Sequence, residues 1–323
     1  KPGEPSWESP WGKGRPGWHI EWSAMASKYL GENFDIHGGG LDLIFPHHEN
    51  EVAQSEAATG KPFARIWMHN GLINLGREKM SKSTGNIITI REFLKKYPVE
   101  ALRFYILSAH YRNPMDFDEE RVEEAIAALE RFRKTMVRIQ DFYERAGKEK
   151  PSASRGVNQG ESSERKLLEE AALLQVVQLK DRFEDAMEDD FNTAKAIGCL
   201  FQVVRALNQY CDSLATSGET ISKALIDQFF TTLKLYQKVF GLFEEDSGVW
   251  LRTLWEERAR SVDLSPSAIE AKIALRLEAR QRSNWELADA IRRELIQHGV
   301  MLEDSPDGTT WRVKRGGGSS GGF

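Results

Sequence analysis

Apolar positions in the first hundred or so residues come in short runs broken by Gly-rich turns, whereas from about residue 119 onward they recur at helical spacing. The first part therefore predicts α/β organisation, with strands over 34–36 and 65–69 and a helix over 46–58. A further helix is expected over 99–107, where Leu102, Tyr105 and Ile106 share a face with Val99. Residues 119–143 show long helical periodicity, and 164–243 repeat it, with Ala196, Leu200, Val203, Val204 and Leu207 forming one apolar stripe. Between them, 146–163 is rich in Gly, Ser, Lys and Asn without apolar periodicity, the composition of a linker. Ser265 followed by Pro266 predicts a helix start, and a helix pair then runs to His298 and stops at Gly299. A turn at Asp307-Gly308 precedes a strand-like 310–313. The expected order is α/β followed by all-α, then a small mixed unit. The boundaries are 1–118, a connecting helix 119–145, the linker 146–163, a bundle 164–246, a C-terminal unit 247–315 and a tail 316–323.

Composition narrows the function classes without choosing one. At 323 residues and 40% hydrophobic content the chain can bury more than one core. A formal charge of -5 gives no global basic field, so contact with nucleic acid has to come from local patches. Cys199 and Cys211 are the only cysteines and form no CxxC pair, which argues against a disulfide framework and for a reducing compartment, cytoplasm or organellar matrix. No uncharged apolar stretch of membrane-spanning length occurs, and the start has no secretory pattern, so neither a membrane nor secretion is expected. Residues 1–18, rich in Gly, Pro and Trp, read as a cut inside a larger fold, and the Gly/Ser tail 316–323 as a flexible linker.

The sharpest chemical signal is Lys79-Met80-Ser81-Lys82-Ser83 with Thr84-Gly85-Asn86 behind it. Two ammonium groups on a short turn can clamp a triphosphate as charge moves onto a pyrophosphate leaving group, although a lysine turn alone is also ordinary solvated surface. Three other blocks accompany it in order: Gly17-Trp18-His19-Ile20-Glu21, Phe34-Asp35-Ile36-His37-Gly38-Gly39-Gly40, and Phe45-Pro46-His47-His48-Glu49-Asn50-Glu51. Trp67-Met68-His69-Asn70-Gly71 precedes the lysine loop and Tyr111-Arg112-Asn113-Pro114 follows it. Together these resemble the cysteinyl branch of the class I aminoacyl-tRNA synthetases, nearly end to end. The resemblance implies the C-terminal part of a Rossmann-type catalytic domain, then a helical tRNA-binding bundle and a small mixed anticodon-binding domain.

The site residues implied by that likeness can be placed one by one. Lys79 and Lys82 would act on the phosphates of Mg-bound ATP, with Ser81 beside them. The glycines Gly38, Gly39 and Gly40 would lie against the adenosine and Asp42 near its ribose, while Trp18 and His37 would line the amino-acid pocket. His47 and Glu51, four apart, have metal-ligand spacing on a helix, a pattern that a helix start with acidic residues also produces. In the family the corresponding pair binds zinc together with two cysteines. Here Trp22 stands where one of those cysteines belongs, and an indole nitrogen has no lone pair to give, so the inherited set is expected to hold zinc weakly.

The first signature of this class, a His-x-Gly-His type motif, does not occur in these residues. The expectation is therefore that this chain supplies one half of the phosphate clamp, the missing N-terminal nucleotide-binding segment being either supplied by a companion chain or cut from a longer enzyme. Toward the C-terminus, 279–292 and 302–312 resemble the anticodon-reading domain, with Arg280, Trp285, Asp289 and Asp304 at its contact positions. Unstacked bases can lie on an aromatic ring and be read at their edges by Arg and Asp. Met187 to Ala194 resembles the opening of a core helix in the tRNA-stem-binding bundle, and its Asp190 to Thr193 also reads as a capping cluster. The implied function is ATP-dependent activation of cysteine and its transfer to cysteine tRNA. The alternative is a noncatalytic tRNA-binding or structural subunit of the same descent.

Overall fold

The computed structural model describes residues 3–75, 78–79, 89–148, 159–217, 221–260, 264–305 and 308–313. It divides into two compact units, one formed by Lys1–Ile87, Ile106–Arg121 and Ala186–Ala194, the other by Ile88–Tyr105, Val122–Asp185 and Lys195–Phe323.

The first unit opens with helix α1 (Trp18–Leu30), which the block-by-block reading of the sequence did not separate from its motif. Strand β1 (Phe34–Gly40) follows and runs through the triple glycine, longer than the three residues expected. A tight turn Leu41–Leu43 and a wide π-type turn Ile44–His48 then lead into α2 (Glu49–Thr59). The extended backbone of Phe45 (φ -132°, ψ 132°) interrupts the helical path, so the helix starts three residues later than Pro46 predicted. α2 returns the chain to β2 (Ala64–Asn70), which pairs parallel with β1, His37 opposite Trp67 and Gly39 opposite His69. α1 lies on α2, where the Ser23 hydroxyl donates to Gln54 Oε1 at 2.8 Å.

A second sheet joins β3 (Ile73–Leu75) to β4 (Glu78–Lys79) antiparallel and to β5 (Met115–Phe117) parallel. Gly71 sits at its entrance and donates its backbone N–H to the Tyr111 carbonyl at 2.7 Å. A side chain cannot fit there, because a Cβ on Gly71 would stand 2.1 Å from the Asn113 carbonyl oxygen.

In the second unit, α3 (Ile90–Lys96) begins with a reciprocal cap: the Thr89 hydroxyl accepts from the Glu92 N–H, and the Glu92 carboxylate accepts from the Thr89 N–H. α4 (Val99–Leu107) occupies the predicted span. α5 (Glu119–Lys148) and α6 (Gln159–Glu188) each take helical turns from the ends of the expected linker, so of its span only 149–158 lies outside the described residues. With α7 (Thr193–Ser217) and α8 (Lys223–Phe240) they form the bundle. Its core includes the predicted stripe Ala196, Leu200, Val203, Val204 and Leu207, together with Leu179, Phe229 and Tyr236.

One face of α5 carries buried Val122, Ile126, Leu129, Phe132, Met136 and Ile139, but also buried Glu130 and Arg133. Each charge is paired: Arg133 forks onto Glu100 at 2.8 and 2.9 Å, and Glu130 takes Arg258 at 3.2 Å. Arg258 lies on α9 (Ser247–Arg260), so the helix that the sequence groups with the C-terminal unit is tied to the bundle by an ion pair.

α10 (Pro266–Gln281) starts as predicted, with the Ser265 hydroxyl accepting from the Ala268 N–H at 3.2 Å. α11 (Trp285–Gln297) is capped in the same way by Asn284, and Gly299 leaves the helical path at φ +77°. β6 (Val300–Ser305) and β7 (Gly308–Val313) close the chain as an antiparallel hairpin. Ile269, Ile273, Ile291, Leu295, Val300 and Trp311 make a separate small core there.

Candidate functional site

Five of the chain's histidines meet between β1, β2 and the turn before α2. Glu51, in the first turn of α2, is fully buried, and its Oε2 lies 3.0 Å from His37 Nε2, 3.7 Å from His47 Nε2 and 3.8 Å from His48 Nε2. Its other oxygen, Oε1, is buried and has no hydrogen-bond partner in the structure. His48 Nδ1 stands 2.7 Å from His69 Nε2, and His47 Nδ1 stands 2.8 Å from His19 Nδ1. Burial, reinforced by the neighbouring imidazoles, pushes His48 down to about 4, so it is neutral at physiological pH. Burial also lowers His47, with the Glu51 carboxylate opposing, and lowers His69.

The predicted pocket residues are drawn into this cluster. Trp18 stacks flat on His47, ring centroids 3.9 Å apart and planes 2° apart, and keeps half of its surface exposed. His37 contacts Glu51 and packs edge-on against His48 and Trp67. Gly38 is required by the neighbouring backbone, whereas at Gly39 and Gly40 a Cβ would displace side chains. A Cβ on Gly38 would meet the Met68 carbonyl oxygen at 2.7 Å, one on Gly39 the Leu43 side chain at 2.7 Å and His48 at 3.1 Å, and one on Gly40 the Asp42 carboxylate at 2.5 Å. These glycines let two strands, a turn and a histidine approach closely, which leaves Asp42 folded beside Gly40. Lys79 is placed in β4, while Ser81 and Lys82 lie outside the described residues.

The inherited pair lies together, His47 Nε2 standing 3.7 Å from Glu51 Oε2. Trp22 turns its ring edge toward His47 at 6.3 Å and offers no donor. Besides His47, Glu51 Oε2 also meets His48 and His37, because the turn before α2 brings both members of the histidine doublet to it and β1 supplies the third ring. His19, His48, His69 and Trp67 were not singled out in the sequence. The His47-His48 doublet placed three and four residues before Glu51 was the available signal, since both spacings reach the same carboxylate.

At the C-terminal end, Trp285 opens α11 with 59% of its surface exposed, and Asp289 is exposed one turn on. Asp304 is already engaged. Buried Arg276 donates to its two oxygens at 2.8 Å each, Arg280 donates at 3.1 Å and the Thr309 hydroxyl at 2.7 Å. Arg276 above all holds its carboxyl far below the ordinary range. The structure brings Arg280 and Asp304 together, and Arg276 is the member that sequence reasoning missed.

A third polar cluster joins the two family-like segments around 111 and 190. Asp190 accepts from Arg112 through Nε and, at 3.1 Å, through Nη2, and from the Tyr111 hydroxyl at 2.7 Å. Asp190 and Phe191 have positive φ (55° and 54°), and the Thr193 hydroxyl donates to the Leu107 carbonyl at 2.8 Å. The expected capping cluster thus serves mainly to seat the turn before α7.

Three segments match known families: 1–127 the class I tRNA synthetase (C) catalytic domain, 182–244 the DALR domain, and 263–312 the cysteinyl-tRNA ligase anticodon binding domain. The chain is 47% identical over 314 residues to a cysteine–tRNA ligase of Geobacter metallireducens, 48% to one of Geobacter sulfurreducens and 46% to one of Thermodesulfovibrio yellowstonii. Each match covers 97% of this chain and 61% of the relative. Among solved structures, a leucyl-tRNA synthetase of Agrobacterium radiobacter in complex with tRNA is similar in fold, with a TM-score of 0.52 at 14% identity, over 76% of this chain and 33% of that one. No helix among the described residues is long and apolar enough to cross a membrane.

Proposed function

Since the chain belongs to the cysteinyl-tRNA synthetase family, spanning about three-fifths of the length of its relatives, we propose that it serves the ATP-dependent charging of cysteine tRNA. The observation that carries this reading is the ordered succession of catalytic, DALR and cysteinyl anticodon-binding segments along one chain. In the first step the cysteine carboxylate attacks the α-phosphate of Mg-bound ATP, giving cysteinyl-adenylate and pyrophosphate. In the second, the acyl group passes to a hydroxyl of the terminal tRNA ribose and AMP leaves.

Lys79 and Lys82 take the charge that develops on the leaving pyrophosphate, and Ser81 hydrogen-bonds beside them. The glycine strand 38–40 and Asp42 flank the adenosine, and Trp18 and His37 bound the amino-acid pocket. Magnesium is expected with the nucleotide. The family's zinc does not fit the inherited donor set, and no step is assigned to it. In the C-terminal domain the exposed Trp285 supplies a stacking surface, with Arg280 and Asp289 at the base edges and Asp304 fixing Arg280.

Changing Trp285 to Ala tests the reading from the protein side. Trp285 is largely exposed, so truncation leaves the core intact, and loss of one stacked base should weaken binding of tRNA with the cysteine anticodon by about 1–3 kcal/mol. Unchanged affinity overturns the anticodon assignment. The missing first signature and Trp22 are what the reading as a noncatalytic subunit would rest on, but the relatives that match nearly all of the chain are ligases and do not favour it.

A further inference from the structure

We propose that the hairpin before α1, with Trp11 at its tip, is a stacking platform for the unpaired 3′ end of a tRNA. The proposal rests on the ligase reading and extends it to a surface outside the amino-acid pocket. Trp11 is 92% exposed, and Trp7 at the base of the hairpin is 58% exposed. Tryptophan is highly buried on average, so two indoles open to solvent on one short loop mark a surface that a partner covers.

The loop is built to hold the rings there. Trp7 and Gly14 exchange both backbone hydrogen bonds, at 2.8 and 2.9 Å, which closes the hairpin. Within it the Ser9 hydroxyl donates to the Gly12 carbonyl at 2.5 Å and accepts from the Trp11 N–H at 3.3 Å, while the Gly12 N–H donates to the Ser9 carbonyl at 3.0 Å. Gly12 takes φ +106°, a conformation that a side chain disfavours. Trp11 adds nothing to the core in return for this ordering, so its ring is presented rather than packed. A preformed loop loses little entropy on binding, which favours contact with a flexible strand.

The position of the hairpin selects the strand. Arg15, just past it, pairs with Glu21 in the first turn of α1 at 3.6 Å. The hairpin is thereby tied to the helix whose first residue, Trp18, bounds the proposed amino-acid pocket. Transfer of the acyl group brings the terminal tRNA ribose to that pocket, and the nucleotides before it have to pass the rim. Their bases are unpaired and offer open faces to an aromatic ring. Stacking suits this loop better than charge does, because exposed Lys13 is offset by exposed Glu8.

Binding of the full chain to cysteine tRNA, intact and shortened by its unpaired 3′ end, separates this contact from all others when wild type and Trp11→Ala are compared at one salt concentration. Trp11→Ala should weaken binding of the intact tRNA at least about fivefold and of the shortened tRNA less than about twofold, since the stacked base is then absent. Trp11→Phe keeps a ring and should recover most of the lost affinity. Circular dichroism should be unchanged, because the ring lies outside the core. The salt dependence should keep its slope, because no phosphate contact is removed. Equal affinity of wild type and Trp11→Ala for intact tRNA overturns the proposal. So does an equal loss on both tRNAs, the result expected if the hairpin docks on a protein segment or on the tRNA body. If Trp11 is silent while exchange of an anticodon base still weakens binding, the platform fails and the ligase reading stands. If neither tRNA binds, the ligase reading fails and the platform with it.

Discussion

Arg276 on α10 grips both carboxylate oxygens of Asp304 on β6, each at 2.8 Å, across 28 positions of sequence. The aspartate expected to read a base edge is therefore also the clasp between the hairpin and the helix pair. Changing Arg276 to Met removes the fork and leaves the carboxylate with weaker partners. Because Asp304 is partly open to water, the cost should be about 1–3 kcal/mol rather than that of a fully buried pair. Thermal unfolding followed at Trp311, which packs in the same core, should show the loss; an unshifted transition means that the clasp contributes nothing.

Asp190 makes stability depend on acid. Its bonds from Arg112 and then Tyr111 lower its pKa from 3.8 to about 2. A group depressed in the folded state binds fewer protons there than in the unfolded chain, so its contribution is complete above about pH 4 and is lost as pH falls toward 2. Solvent screening keeps that contribution small, since the side chain is 41% exposed. Urea unfolding at pH 5 should separate Asp190→Asn from the wild type, and the gap should narrow at pH 3. A gap of the same size at both values contradicts the linkage.

Gly71 should tolerate no side chain. In Gly71→Ala the new Cβ would overlap the Asn113 carbonyl, and relief requires moving the backbone that hydrogen-bonds Gly71 to Tyr111. Overpacking of this kind costs about 1–3 kcal/mol, measurable as a lower urea midpoint. Alanine at Gly14, where the built Cβ meets nothing within 4 Å, is the control and should leave the midpoint unchanged.

The elements that the sequence disclosed are those specified locally. Ser265 and Pro266 announce α10, Gly299 ends the helix pair, and the stripe on α7 is buried as its spacing requires. What stayed hidden was set by contacts distant along the chain. The triple glycine looks like a turn but is a strand, because its missing side chains make room for Met68 and Leu43. Glu51 has helical spacing to His47 and His48, whereas His37 reaches the same carboxylate from strand β1, fourteen residues away. Buried Glu130 and Arg133 look like surface charges until Arg258 and Glu100 are seen beside them. Trp285 was reached through the family resemblance alone; its exposure and the Asn284 cap in front of it are visible only in the structure.

A chain that serves cysteine tRNA should discriminate its anticodon. The dissociation constant of this chain should be measured for tRNA with the cysteine anticodon and for the same tRNA with one anticodon base exchanged, at one salt concentration. The exchange should weaken binding about tenfold or more, since a misread base leaves edge donors and stacking unsatisfied. Equal affinity for the two tRNAs would contradict it.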